Sequence, residues 1–233
     1  LKIHKFLRYD LTHYLSSMAL LLSLEIATLA TLISTVIGVG FAALLTHKDG
    51  CAWGLIDGII NLPLVLPPTV LGYYLLTSLG ARSPIGTWFN EHNIHLVFTW
   101  RGAVIAASVV ALPLVVQSSR AAFETVSEDL IDVAHTLGRS SLGIFFTVRL
   151  PISWRGVLAG VALAYARALG EFGATMMVAG NIPGKTQTLP IAIYDAVQSG
   201  DQLEANLLSA LLTIVAIIIL FIIRRLTTQL VNR

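Results

Sequence analysis

Apolar residues fill this chain in long blocks, and its polar residues gather in a few clusters between them. Residues 16–46, SSMALLLSLEIATLATLISTVIGVGFAALLT, form the first block, with Glu25 as its only charge. About 20 apolar residues suffice to cross a bilayer as a helix, so this block predicts a first span. Residues 53–79, WGLIDGIINLPLVLPPTVLGYYLLTSL, are also long enough, but Pro63, Pro67 and Pro68 break the helical hydrogen-bond ladder. Backbone freed at membrane depth is tolerated where protein or a watery cavity covers it, so this second span is expected to face a protein interior. Residues 102–118 predict a third span, short and interrupted by Pro113. Residues 156–180, GVLAGVALAYARALGEFGATMMVAG, predict a fourth, whose recurring small residues suit close helix packing. Residues 203–223 predict a fifth, closed by Arg224 and Arg225.

The segments between these blocks read differently from one another. Residues 80–101 are mixed polar and aromatic, a loop with Trp88, Phe89, Phe98 and Trp100 placed as interfacial anchors. Residues 181–202, with Pro183, Pro190 and QSGDQ, read as a loop with a partly inserted segment. Residues 119–155 are the longest polar-tinted stretch. Within it Ser127 is placed to cap a helix, and Glu128 and Asp129 suit the positive end of the helix dipole. Leu130, Val133, Ala134 and Leu137 then recur at helical spacing, and Gly138 offers a left-handed stop. A second short helix, 141–147, leads to Pro151, which can open the next span. Such a unit either lies on the membrane interface or presents a surface to a partner.

Composition agrees with a membrane protein. Of 233 residues 55% are hydrophobic and 12% charged, against about 25% charged in soluble domains. A net charge of +2 without a basic tract leaves nucleic-acid binding without a footing. The lone Cys51 excludes an internal disulfide and a cysteine metal cluster. The start, LKIHKFLRYDLTHYL, lacks a small-residue cleavage site and does not read as a cleaved signal peptide, and a start on Leu leaves open residues upstream and a sixth span. Five spans put the termini on opposite sides. Eight Lys and Arg on the side of the C-terminus, against six on the other, lean toward a cytoplasmic C-terminus and an extracytoplasmic N-terminus.

The polar stretch resembles the cytoplasmic motif of permease subunits of ABC importers: E-A-A, three residues, G, nine residues, I-x-L-P. Here it reads Asp132-Val133-Ala134, three residues, Gly138, nine residues, Val148-Arg149-Leu150-Pro151, with Gly and Leu-Pro in register and Asp132, Val133 and Val148 departing conservatively. The resemblance implies a type I importer permease fold: all-α, with five transmembrane helices and a cytoplasmic coupling-helix loop. It places residues 1–15 outside, a transmembrane domain over 16–226 with the coupling loop at 124–151, and a cytoplasmic tail at 227–233. Asp132, Val133, Ala134, His135, Gly138, Arg139, Val148, Leu150 and Pro151 would then meet an ATP-binding subunit, which would carry ATP and Mg. This chain would need no cofactor or metal of its own, and it holds no phosphate-binding G-x-x-x-x-G-K-[ST] loop. Two copies of the permease, two ATP-binding subunits and an extracytoplasmic oxyanion-binding protein meeting residues 80–101 and 181–202 would complete the importer in the cytoplasmic membrane.

Three further stretches, 62–76, 98–107 and 166–194, are similar to permeases of molybdate importers; sulfate permeases share the Arg-Ala-x-Gly-Glu part, and tungstate is not distinguished from molybdate. The candidate path or gate residues are Pro67 and Pro68, where the helix must open, Thr69 with its hydroxyl, and Arg167 with Glu171. At a spacing of four in a helix the last two can neutralise one another, either locking the helix to its neighbours or serving the path. Glu25 and Asp57 read as lone acids in structural or interfacial roles, and His135 as a solvated or docking residue. Neither a Gly-x-Ser-x-Gly elbow nor a His-Glu-x-x-His pair occurs, so the chain reads as a transport subunit rather than an enzyme. An ion-driven secondary transporter is the rival reading, for which no internal repeat is visible.

Overall fold

Two prolines in succession set the course of the second span. A residue before proline is pushed out of the helical region. Leu66, before Pro67, is extended at φ −72° and ψ 139°, and Pro67, before Pro68, at φ −55° and ψ 135°. Helix α2 (Cys51–Val65) therefore ends there and α3 (Pro68–Leu79) starts on Pro68 at a bend of 117°. Pro63, by contrast, sits within the last turn of α2 without breaking it.

The computed structural model describes residues 2–46, 48 and 50–231, and the side chains of 17–46, 48, 50–222 and 225. Expectations for residues 1–15 and for 227–233 fall on side chains outside those described; the backbone of 2–15 belongs to helix α1 (Lys2–Leu45) and that of 227–231 to the last helix. After α3 come α4 (Pro84–Glu91), α5 (Trp100–Glu124), α6 (Glu128–Thr136), α7 (Ser141–Ile144), α8 (Leu150–Leu169), α9 (Gly173–Ala179), α10 (Leu189–Gln198) and α11 (Gln202–Val231). Among the described residues there is no strand. Four stretches are long and apolar enough to cross a membrane, 17–45, 100–124, 141–169 and 202–222, and the bent α2–α3 pair, counted as one span, brings the number to five.

Helix α5 is the centre of the bundle, with 67% of its apolar window buried against 11% for α11, which lies at the edge. It packs on α1 and α8. Small residues allow this: a Cβ added at Gly160 of α8 would come within 2.8 Å of Ser118 Cβ, and one at Gly156 would collide with Ala122. Hydroxyls tie the same helices together, Ser34 Oγ donating to the Ser108 carbonyl at 2.8 Å and Ser153 Oγ to the Ala122 carbonyl at 2.8 Å. The core beside them is built from Ile26, Ala30, Ala107, Val115 and Ala164.

Several sequence expectations are corrected. Pro113 does not interrupt the third span: α5 runs unbroken through it, because buried neighbours on both sides hold the helix where a lone proline would kink it. The fourth span does not run 156–180. It starts at Ser141, passes through a π-helical turn at Phe145–Arg149 into α8, and stops at Leu169, with α9 a separate short helix. Residues 80–101 are not a plain loop, since they contain α4, and the loop with an inserted segment expected over 181–202 contains α10. Within one chain, α2 is not interior either: Ile60 is its one buried residue among those described, and Leu55 and Val65 stand 66% and 81% exposed.

Candidate functional site

The polar stretch folds into a hairpin-like projection at one end of α5. Its first helix, α6, follows Ser127, which takes the N-cap position without a side-chain bond. It stops at Gly138, whose φ of +77° suits glycine, with two carbonyls satisfied by reaching backward: Gly138 N–H donates to the His135 carbonyl at 2.9 Å and Arg139 N–H to the Ala134 carbonyl at 3.1 Å. Ser140 Oγ then caps α7 by accepting from Gly143 N–H at 3.2 Å.

The apolar residues of this projection divide between two faces. Ile131 and Ala134 turn inward, onto Val126, Ile144 and Val148. Leu130, Val133 and Leu137, which the spacing places on one apolar stripe with Ala134, turn outward, and Leu137 is 78% exposed. Leu142 and Phe146 join them on the surface. Asp132, His135, Gly138 and Arg139 are exposed around this patch, while Val148, Arg149 and Leu150 are half-buried at its base and Pro151 is exposed. Large apolar side chains held outward on a polar loop mark a surface that another protein or the membrane interface covers.

The second constellation is a pair of broken helices lying against each other. Helix α9 packs on α3, and the fit is close: a Cβ on Gly72 would come within 2.7 Å of Met177 Cβ and 2.8 Å of Ala174 Cα. Gly173, at the start of α9, lies against Pro68 and Thr69 N, where a Cβ would meet them at 3.0 and 3.3 Å. The α8–α9 break is thereby set beside the α2–α3 break. Pro67, Pro68 and Thr69 are all exposed at it.

One carboxylate holds the α8–α9 break together. Glu171 is 3% exposed; its Oε2 sits 2.7 Å from Arg167 Nη1, and its Oε1 accepts from Ala174 N–H at 2.7 Å. Sequence spacing suggests one helix through both residues, but Glu171 stands beyond the end of α8, in the break itself. A buried acid is thus neutralised by a cation on one helix and by an orphan amide on the next.

Asp57 is not the lone acid that its apolar surroundings suggest. It lies 3.5 Å from Arg120 Nη1 and accepts from Asn61 Nδ2 at 3.1 Å; Gln117 Nε2 donates to Asn61 Oδ1 at 2.8 Å, and Arg120 also pairs with Glu124 at 2.9 Å. The signal was present as two spacings of four, Asp57 to Asn61 and Arg120 to Glu124. Glu25 is exposed on α1.

The chain is thus a bundle of apolar helices with two breaks set side by side and an apolar patch carried on a polar projection. The sequence profile of binding-protein-dependent transport system inner membrane components matches residues 34–233, and the chain belongs to that family. It is 46% identical over 185 residues to the molybdenum transport system permease protein ModB of Escherichia coli strain K12, covering 78% of this chain and 80% of the relative. The corresponding protein of Azotobacter vinelandii is 38% identical over 204 residues, covering 87% and 90%. Among solved structures, the fold matches the MetNI methionine ABC transporter in an inward-facing conformation, at a TM-score of 0.72 and 16% identity over 93% of this chain and 96% of that one. It also matches a bacterial ABC transporter involved in alginate import, at a TM-score of 0.74 and 12% identity over 91% and 78%. The five-span type I importer fold, the permease class and the transport rather than catalytic role expected from the sequence all stand.

Proposed function

We propose that this chain is the permease of an ATP-driven importer that carries molybdate across the cytoplasmic membrane by alternating access. The observation that carries the proposal is the pairing of an exposed apolar patch on α6 with two broken spans in contact, in a chain whose relatives at 37–46% identity are molybdenum transport permeases. ATP and Mg act on a separate ATP-binding subunit, which receives Leu130, Val133 and Leu137 with Asp132, His135 and Arg139 around them. That contact puts the α6 projection and the C-terminus on the cytoplasmic side and the N-terminus outside.

A second copy of the chain covers the exposed face of α2 and α3. Leu55, Ile59, Val65, Tyr73 and Tyr74 on that face are each more than half exposed, and backbone broken at membrane depth needs cover from protein or water rather than from lipid. The anion then passes along the broken helices between the two copies, where unwound backbone at Leu66–Pro67 and the Thr69 hydroxyl can take part of its hydration. The ion pair of Arg167 and Glu171 brings a cation close to the path with its charge already balanced, so a dianion is not trapped. An oxyanion-binding protein docks on the segments holding α4 and α10.

ATP binding on the partner moves the α6 projection, and through α5 and α8, which flank it in the chain, the two breaks. The test is ATPase turnover of the reconstituted complex. Molybdate-loaded binding protein should stimulate it several-fold; stimulation by sulfate-loaded protein alone would move the substrate, and an ATPase indifferent to this chain would overturn the class.

A further inference from the structure

Away from the path, a cleft of about 570 Å³ opens between α1, the start of α5 and the 184–186 turn. We propose that it binds the headgroup of a phosphoethanolamine lipid, with Glu25 taking the ammonium and Lys185 the phosphate. Both residues line the cleft, and among the described residues no hydrogen bond or ion pair joins either to another side chain. Met18, Leu22, Phe98 and Trp100 form its apolar walls.

Depth supports a headgroup. The Ser34 to Ser108 bond, with Gly38 against Leu112 and Val115, shows α1 and α5 running in the same direction. Nine residues back along each helix, Glu25 is level with Thr99, the N-cap of α5, beside Trp100. The 20 residues from Ile26 to Leu45 alone cover about 30 Å, the thickness of the hydrocarbon core. With Leu45 taken as one edge of the hydrocarbon core and the proposed orientation of the chain, Glu25 stands at the outer boundary of the lipid tails, and the tilt of helical Cα–Cβ bonds toward the N-terminus lifts its carboxylate toward water. Trp100 sits where interfacial aromatics gather.

Charge complementarity selects the ligand. A simple anion faces Glu25, and a simple cation faces Lys185; a zwitterion satisfies both. The turn that carries Lys185 is well anchored for this, since Thr186 Oγ1 accepts from Ile182 N–H at 3.1 Å and donates to the Gly180 carbonyl at 3.2 Å. A primary ammonium gives Glu25 the N–H donors that a glycerol headgroup lacks.

The inference is independent of the substrate. Native mass spectrometry of the delipidated full chain, titrated with phosphatidylethanolamine or phosphatidylglycerol, tests it. Phosphatidylethanolamine should bind at least about fivefold more tightly. Glu25→Gln should bring the ratio to about one, and Lys185→Gln should weaken both lipids, whereas Asp57→Asn, remote from the cleft, should change neither. Equal binding of the two lipids by the unaltered chain, or a preference that survives Glu25→Gln, would overturn the proposal. So would lipid binding unaffected by either substitution.

Discussion

The guanidinium of Arg167 and the carboxylate of Glu171 lie 2.7 Å apart across the end of α8, and the same carboxylate accepts from the Ala174 amide in the first turn of α9. One side chain thus joins two helices that the backbone has separated. Helix α9 in turn seats α3 just past its proline break, so the pair fixes the geometry of both breaks.

The two halves of this pair are unequal, because Glu171 is 3% exposed and the Arg167 side chain 33%. Arg167→Ala leaves a buried carboxylate with one amide for company and should cost about 3–4 kcal/mol. Glu171→Gln leaves a cation that reaches water and an acceptor for Ala174 N–H, and should cost about 1–2 kcal/mol. Thermal unfolding of the two variants in the same detergent gives the order; a Glu171→Gln protein less stable than Arg167→Ala would contradict it.

Gly138 has open space around it, so a substitution there meets backbone strain alone. At φ +77°, Gly138→Val should cost about 2 kcal/mol locally and lower ATP-driven transport while membrane insertion stays normal, and Gly138→Asn should be tolerated better. Transport assays beside a protease-accessibility control separate the two effects.

Ile131 on α6 and Leu137 at its C-cap have opposite exposures. Leu137→Asp should leave the fold intact and weaken capture of the ATP-binding subunit at least about tenfold. Ile131→Asp should instead unfold the projection, read as new proteolytic cleavage within 124–151. Normal subunit capture by Leu137→Asp would remove the docking surface from α6.

Gly72 has no room for a methyl group, with Met177 and Ala174 in the way. Gly72→Ala should cost about 1–3 kcal/mol by overpacking and shift α3 away from α9. A cysteine pair placed across this contact should then cross-link more slowly in the alanine variant than in the unaltered chain.

Hydropathy was enough to find the five crossings, and Pro67–Pro68 was enough to find the sharpest bend, since each proline constrains its predecessor whatever lies around it. The second break was hidden. Gly170 is a weak stop, and the spacing of Arg167 and Glu171 fits a continuous helix as well as an ion pair across its end. Pro63 and Pro113 misled in the other direction, because neighbouring helices and a nearby helix end absorb what a proline takes away. On α6 the apolar stripe was visible, but its period cannot say whether it faces a core or a partner. Ile131, outside that stripe, supplies the inward anchor, which depends on Ile144 and Val148 arriving from the next segment. Helices α4 and α10 are short and mixed in polarity, so contacts with the bundle decide them more than pattern does.

The most direct measurement is uptake of labelled molybdate into proteoliposomes holding this chain, its ATP-binding subunit and its binding protein. Uptake should require ATP on the side of the α6 projection and be competed by tungstate but not by sulfate. Uptake of molybdate that proceeds equally without ATP, under an ion gradient alone, would contradict the importer mechanism proposed for this chain.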